Sequence, residues 1–352
     1  MSNGNQSLLY GLRLVSESGE QLQPHRGRYR SSHRREPFEP ASVALAVAVA
    51  LSVYKLSLFV LPFYTGGDQY YYTLAYNYMP DHSWSASRRF FTNWTGSSEP
   101  GYAFLAFMGS RVMPKIIFSA LINAALSFVT LLVIRRFNIG LAMAAVASFT
   151  MYWLVLLFSA ERLSLAFVFL GLAALSGPRL RTIFFITAML SHFSIVVLFG
   201  FAFFGPVEAV INRQRSSRNR QRLRRIATFS AISSVLFIMV GEAATAKLSG
   251  YLVGSIGLNL DLIILVGSLL ISLLALRTAH FEVTVSFTPI IMAALISDGD
   301  RLLMFGFIVL FYYGHRSSLT KYLAVFPGTA YMTYIGLIHL SNIFASGNGF
   351  HS

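Results

Sequence analysis

The sequence predicts an all-α, polytopic integral membrane protein with about eight full transmembrane helices plus re-entrant or interfacial helices. Three observations carry this. Of 352 residues, 55% are hydrophobic and only 12% charged, against about 25% charged in an average soluble domain. Mean hydropathy is +0.59, and apolar runs of roughly 20 residues, the length that crosses a bilayer, recur along the chain. The cations are gathered between those runs: 28 Lys+Arg against 14 Asp+Glu give a formal net charge of +14. In a membrane protein that excess is first a topology signal, because loops rich in Lys and Arg stay in the cytoplasm. The chain has no cysteine, which excludes a disulfide framework, a thiolate metal site and a thiol nucleophile.

Residues 1–40 are polar and hold the basic run His25, Arg26, Arg28, Arg30, His33, Arg34 and Arg35; they are expected as a cytoplasmic tail. The membrane domain then runs over 41–345, with a short tail at 346–352. Its first apolar run, 41–63, is too long for a signal-peptide core and is followed by Pro62-Phe63-Tyr64 instead of a small-residue cleavage site, so it stays as an anchor. With the N-terminus inside, the chain emerges outside near Tyr64. The stretch 64–100 reads as an outer loop whose Tyr and Trp content argues against disorder. Segment 101–113 is too short to span and reads as an interfacial or re-entrant helix. Run 115–134 crosses to Arg135-Arg136, 141–159 goes out, and 163–176 returns to the basic Pro178-Arg179-Leu180-Arg181.

At 182–204 the alternation breaks. A single crossing would put the arginines at 213, 215, 218, 220, 222, 224 and 225, in the Arg-rich loop 205–225, on the outside. A broken hairpin turning near Ser191-His192 keeps them in the cytoplasm, and such breaks are tolerated only where they are buried in protein or line a cavity. Runs 226–242, 259–276, 284–297, 301–313 and 322–344 then alternate. The Arg-rich loop reads as a solvated face attracted to anionic lipid heads, and no nucleic-acid partner is expected. No phosphate-binding or dinucleotide glycine motif occurs and no repeat of 20–50 residues is visible.

The polar residues that are out of place in this topology fall at outward ends: Asp68, Glu99, Glu161, Arg162, His192, Asp298, Asp300 and Arg301. Arg162 lies between two apolar runs, where exposure to lipid costs a few kcal/mol or more. It therefore needs an anion, whether Glu161, Asp300 or a ligand phosphate. Arg301 follows Asp298-Gly299-Asp300 at a helix start, where a cation opposes the helix dipole unless something negative is near. Two such arginines suit a diphosphate, whose oxygens the guanidinium fork matches. His192 is placed at the predicted break as a base or phosphate donor. Asp68 and Glu99 are the carboxylates able to take or position a hydroxyl proton, and Tyr71, Tyr102 and Trp94 offer rings that stack on sugar faces. No metal ligand spacing surrounds His192, and neither metal nor cofactor is expected.

The ordered set Gly66-Gly67-Asp68-x-x-Tyr71, Glu99-Pro100-Gly101-Tyr102, Arg162, His192-Phe193-Ser194 and Arg301 resembles the EpsG/Wzy-like polysaccharide polymerases over about residues 41–315. Leu163 stands where that family usually has Gln. The resemblance implies a bacterial inner-membrane glycosyltransferase that joins polyprenyl-diphosphate-linked oligosaccharide repeats into exopolysaccharide, capsule or O-antigen at the outer face. It implies diphosphate binding by Arg162 and Arg301 and activation of the acceptor by Asp68, Glu99 or His192. Membrane lipids, a flippase and a chain-length regulator of the same pathway are the expected partners. The competing readings are a polyprenyl-monophosphate-sugar transferase, a lipid-linked sugar transporter or flippase, and a structural assembly subunit.

Overall fold

A computed structural model describes residues 38–97, 99–137, 145, 148–198, 260–275, 283–284, 286–288, 290–291, 300–314 and 325–349. Among them every regular element is a helix. Two are long and apolar enough to cross a membrane: the run Pro40–Phe63, in which helix α1 (Pro40–Val60) continues into a 3-10 turn, and α5 (Lys115–Arg136). A third span results if α6 (Met151–Phe158) and α7 (Glu161–Leu175), bent by 105° at their junction, are one broken crossing. The described residues thus hold two or three candidate spans against the eight expected. The tail to residue 37, the Arg-rich loop and the run 226–242 lie outside the described residues.

Helices α1 and α5 pack side by side, and Asn123 of α5 donates to the Ser57 hydroxyl of α1 at 3.0 Å. Ser57 lies in the last turn of α1 and Asn123 in the first half of α5, so the end of α1 meets that half of α5. Helix α7 lies along α5 in the same direction, with Glu161 beside Lys115 and Gly171 against Val129. Helix α8 (Pro178–Ser191) packs against α7 and ends at His192. The helix stops at the expected turn and a 3-10 segment, Phe193–Leu198, follows; the return of the expected hairpin lies outside the described residues. Helices α9 (Leu260–Ala275) and α10 (Asp300–Gly314) pack together, and α11 (Phe326–Ser346) packs on α6.

The stretch expected as an outer loop is helical. After Gly66 the chain forms α2 (Gly67–Tyr78), a 3-10 turn over Met79–Asp81, and α3 (Trp84–Thr95). Ser83 caps α3 by accepting from the Ala86 amide, and Gly96 ends it at φ +61°, the left-handed conformation that glycine adopts without strain. The short helix expected over 101–113 is α4 (Pro100–Gly109). These three helices pack with the start of α5 around an apolar core built on Tyr72, Tyr76, Met79, Phe91, Tyr102 and Phe118. Low apolar content hid α2, whose buried face is built on Gln69, Tyr72 and Tyr76.

The junction of α6 and α7 frees carbonyls that a continuous helix would use. The Gln69 side chain of α2 donates to the Phe158 carbonyl at 2.7 Å, and Ser164 donates to the carbonyls of Leu156 and Ala160. The Ser159 hydroxyl meets His339 Nε2 of α11 at 3.1 Å. Gln69→Ala leaves a buried carbonyl unpaired and is expected to lower stability by about 1–3 kcal/mol, read as a shift of thermal unfolding in detergent.

Candidate functional site

Three helix ends that are far apart in sequence meet at one buried point. Pro100 at the first turn of α4 fixes the helix start, and Glu99 just before it does not cap the helix with its side chain. Instead Glu99 Oε2 accepts from Arg162 Nη1 at 3.0 Å, and Ser97 donates to the same oxygen. The Glu99 Oε1 atom lies 3.6 Å from His192 Nδ1. Glu99, Arg162 and His192 are all buried, at 7%, 5% and 5% exposure, so the carboxylate is shielded from water and its partners matter. Arg162 Nε also donates to the Tyr72 hydroxyl at 2.9 Å. The anion that Arg162 requires is thus Glu99, not the adjacent Glu161.

Glu161 serves a second cation. It pairs with Lys115, accepts from Ser119 at 2.6 Å and from Tyr102 at 2.5 Å, and is fully buried. Lys115 and Arg162 each begin a helix, the end where the dipole disfavours a cation; each is offset by a glutamate reached across the fold. Burial pushes the Tyr72 phenol up to about 12 against the pull of Arg162. Burial and then the Glu161 charge push Tyr102 well above its ordinary value. Both phenols therefore stay protonated: Tyr102 donates to Glu161, and Tyr72 accepts from Arg162 with its own proton still in place.

Asp68 is half-buried in the first turn of α2. Its charge bears on Tyr72 and Arg162, which sets it beside the same cluster. Gly67 before it has φ +54° and Gly66 donates to the Gly347 carbonyl at 2.8 Å, so the C-terminal end of α11 holds this turn. Tyr71 and Trp94 are 40% and 46% exposed, with rings stacked at 6.3 Å. Tyr102, expected with them as a sugar contact, is buried at 1% exposure and belongs to the Glu161 cluster instead. Arg301 is the second residue of α10; its side chain, that of Asp300, and Asp298 lie outside the described residues.

One backbone contact makes the convergence possible. A Cβ on Gly101 would lie 2.8 Å from the Leu190 carbonyl carbon and oxygen and 2.9 Å from the Ser191 amide nitrogen. The start of α4 and the end of α8 therefore touch main chain to main chain, which brings Glu99 to His192. Lys115, Ser119 and Tyr72 were not singled out from the sequence. The dipole argument used for Arg301 finds Lys115 as well, and Asp68, Tyr72 and Tyr76 share one face of α2 at four-residue spacing.

Lys115→Met leaves Glu161 buried without its cation and is expected to cost about 3–5 kcal/mol. Lys115→Met with Glu161→Gln should recover much of that loss, measured by thermal unfolding of the purified proteins. Among the described residues no group of three or more His, Cys, Asp or Glu is placed to hold a metal ion. Compared with known proteins, the chain matches no family model, no curated protein and no solved structure.

Proposed function

We propose that this protein is a metal-independent membrane glycosyltransferase that polymerises polyprenyl-diphosphate-linked oligosaccharide repeats at the outer face of a bacterial inner membrane. The observation that carries the reading is the meeting of Glu99, Arg162 and His192, three separate pieces of the sequence pattern, at one buried point. In this reading the acceptor hydroxyl attacks the anomeric carbon of the lipid-linked repeat. The new glycosidic bond forms as the bond to the diphosphate breaks, and the diphosphate leaves with the electron pair. His192 takes the hydroxyl proton, and Glu99 orients its ring and stabilises the imidazolium that forms. Arg162, with Nε and Nη1 held by Tyr72 and Glu99, is the positioning residue. Asp68 lies at the edge of the cluster as a second hydroxyl contact, and Tyr71 with Trp94 supplies a stacked, exposed ledge for sugar rings. Arg301, the second residue of α10, is kept as a further diphosphate ligand.

The test is the lipid-linked glycan profile of a strain lacking the gene. A single complete repeat on its lipid, with no ladder above it and the ladder restored by the wild-type gene, is expected. A repeat lacking one sugar would instead favour the monophosphate-sugar transferase, and complete repeats confined to the cytoplasmic leaflet would favour a flippase.

A further inference from the structure

A cavity of about 540 Å³ opens between the end of α2 and the turn that leads into α5, lined among others by Tyr76, Asn77, Ser110, Arg111, Met113 and Lys115. Two cations share it, and no carboxylate is among its described lining residues. The Arg111 guanidinium is fixed in place: Nη1 donates to the Phe107 carbonyl and Nη2 to the His82 carbonyl, each at 2.8 Å, and its carbon sits 3.6 Å over the Phe107 ring. Both of those hydrogen-bond partners are neutral. A guanidinium has five N–H donors, so its positive charge and part of its donor fork remain for something else. Lys115 is held by Glu161 and, at 2.7 Å, by Ser119; an ammonium has a third N–H, and this one belongs to a residue that lines the cavity. The start of α5 adds the positive end of a helix dipole.

Depth gives the ligand. Lys115 is the first residue of the candidate span Lys115–Arg136. The cavity therefore sits where hydrocarbon gives way to head groups. A free cation beside a half-committed one at that level matches a phosphate ester, which a guanidinium fork and an ammonium bind by charge-assisted hydrogen bonds.

We propose that Arg111 and Lys115 seat the phosphate head of a membrane lipid in this cavity. The assignment deepens the polymerase reading and rests on it for the lipid's identity, a polyprenyl diphosphate. It also separates two tasks: Arg162 fixes Glu99 within the buried cluster, while the leaving diphosphate is held at Arg111 and Lys115. Because Lys115 also neutralises Glu161, a phosphate at the cavity draws on the cation that balances the Glu161–Tyr102 cluster, which ties carrier binding to the site.

The experiment uses the full chain in phosphatidylcholine nanodiscs and measures retention of polyprenyl diphosphate and of polyprenol by native mass spectrometry, with inorganic pyrophosphate as competitor. Wild type is expected to retain the diphosphate at least about tenfold better than the alcohol, and Arg111→Gln, an exposed position without a buried carboxylate partner, to lose about tenfold, the effect of one charged hydrogen-bonding partner. Lys115→Arg, which keeps a cation for Glu161, should retain measurable binding. Equal retention of the alcohol, or diphosphate binding unchanged in Arg111→Gln, would overturn the site. Pyrophosphate competing as tightly as the lipid would overturn the lipid assignment. Diphosphate binding that survives while the gene proves dispensable for the glycan ladder would overturn the polymerase reading and leave the site standing.

Discussion

Arg162→Met is expected to destabilise the protein by about 3–5 kcal/mol and to abolish polymer, the largest effect of any single substitution in this cluster. The reason is Glu99. Its carboxylate is buried and has Arg162 as its closest cation, at 3.0 Å, with His192 at 3.6 Å. Removing the guanidinium leaves the buried carboxylate without its closest cation and the Tyr72 hydroxyl without its donor. The double change Arg162→Met with Glu99→Gln removes both charges and should recover most of the stability, since replacing a whole buried pair is far less costly than breaking it. Polymer should stay absent in the double variant. Thermal unfolding in detergent and the glycan ladder in cells, measured on the same set, separate the structural part of the effect from the chemical part.

Gly101→Val is the second. The side chain would have to enter a space in which its first carbon already lies within 3 Å of the Leu190 and Ser191 backbone. Main chain cannot rotate out of the way as a flexible side chain would, so α4 must move off the end of α8. Overpacking of this kind costs about 1–3 kcal/mol. The functional loss should be larger than the stability loss, because the contact sets the spacing between Glu99 and His192. The Lys115–Glu161 pair is held by α5 and α7 and does not depend on that contact. The expected result is a folded protein with a modestly lower unfolding temperature and no ladder; a normal ladder would mean that the approach of α4 to α8 does not position the site.

The parts of this structure that could be read in the sequence are those where composition alone decides. The runs 41–63 and 115–134 are predominantly apolar, and both appear as helices able to cross a membrane. The expected turn near Ser191-His192 coincides with the end of α8, while the return of the hairpin and the Arg-rich loop lie outside the described residues. Arg162 was legible as a cation in need of an anion. Which anion was not, because the choice between Glu161 one residue away and Glu99 sixty-three residues away depends on how α4 packs against α7.

The stretch 64–100 escaped for a different reason. Its inward-facing residues on α2, Gln69, Tyr72 and Tyr76, are polar or amphipathic, so no hydrophobic stripe marks the helix although the four-residue spacing of Asp68, Tyr72 and Tyr76 does. Tyr71, in the stretch read as a loop, and Tyr102, in the short helix expected after it, were both expected as sugar contacts. On a helix Tyr71 faces out toward Trp94, while Tyr102, from the next helix, is enclosed next to Glu161.

The most direct test of the account is reconstitution. Purified wild-type protein and Glu99→Gln, a change that keeps size and most hydrogen bonding while removing the charge that faces His192, are given a synthetic polyprenyl-diphosphate-linked repeat, and the products are resolved by gel and mass spectrometry. The account predicts a ladder of joined repeats and free polyprenyl diphosphate from the wild type, and unreacted repeat from a Glu99→Gln protein of matched folding. A ladder of equal length and rate from Glu99→Gln would contradict the assignment of Glu99, Arg162 and His192 as the working centre.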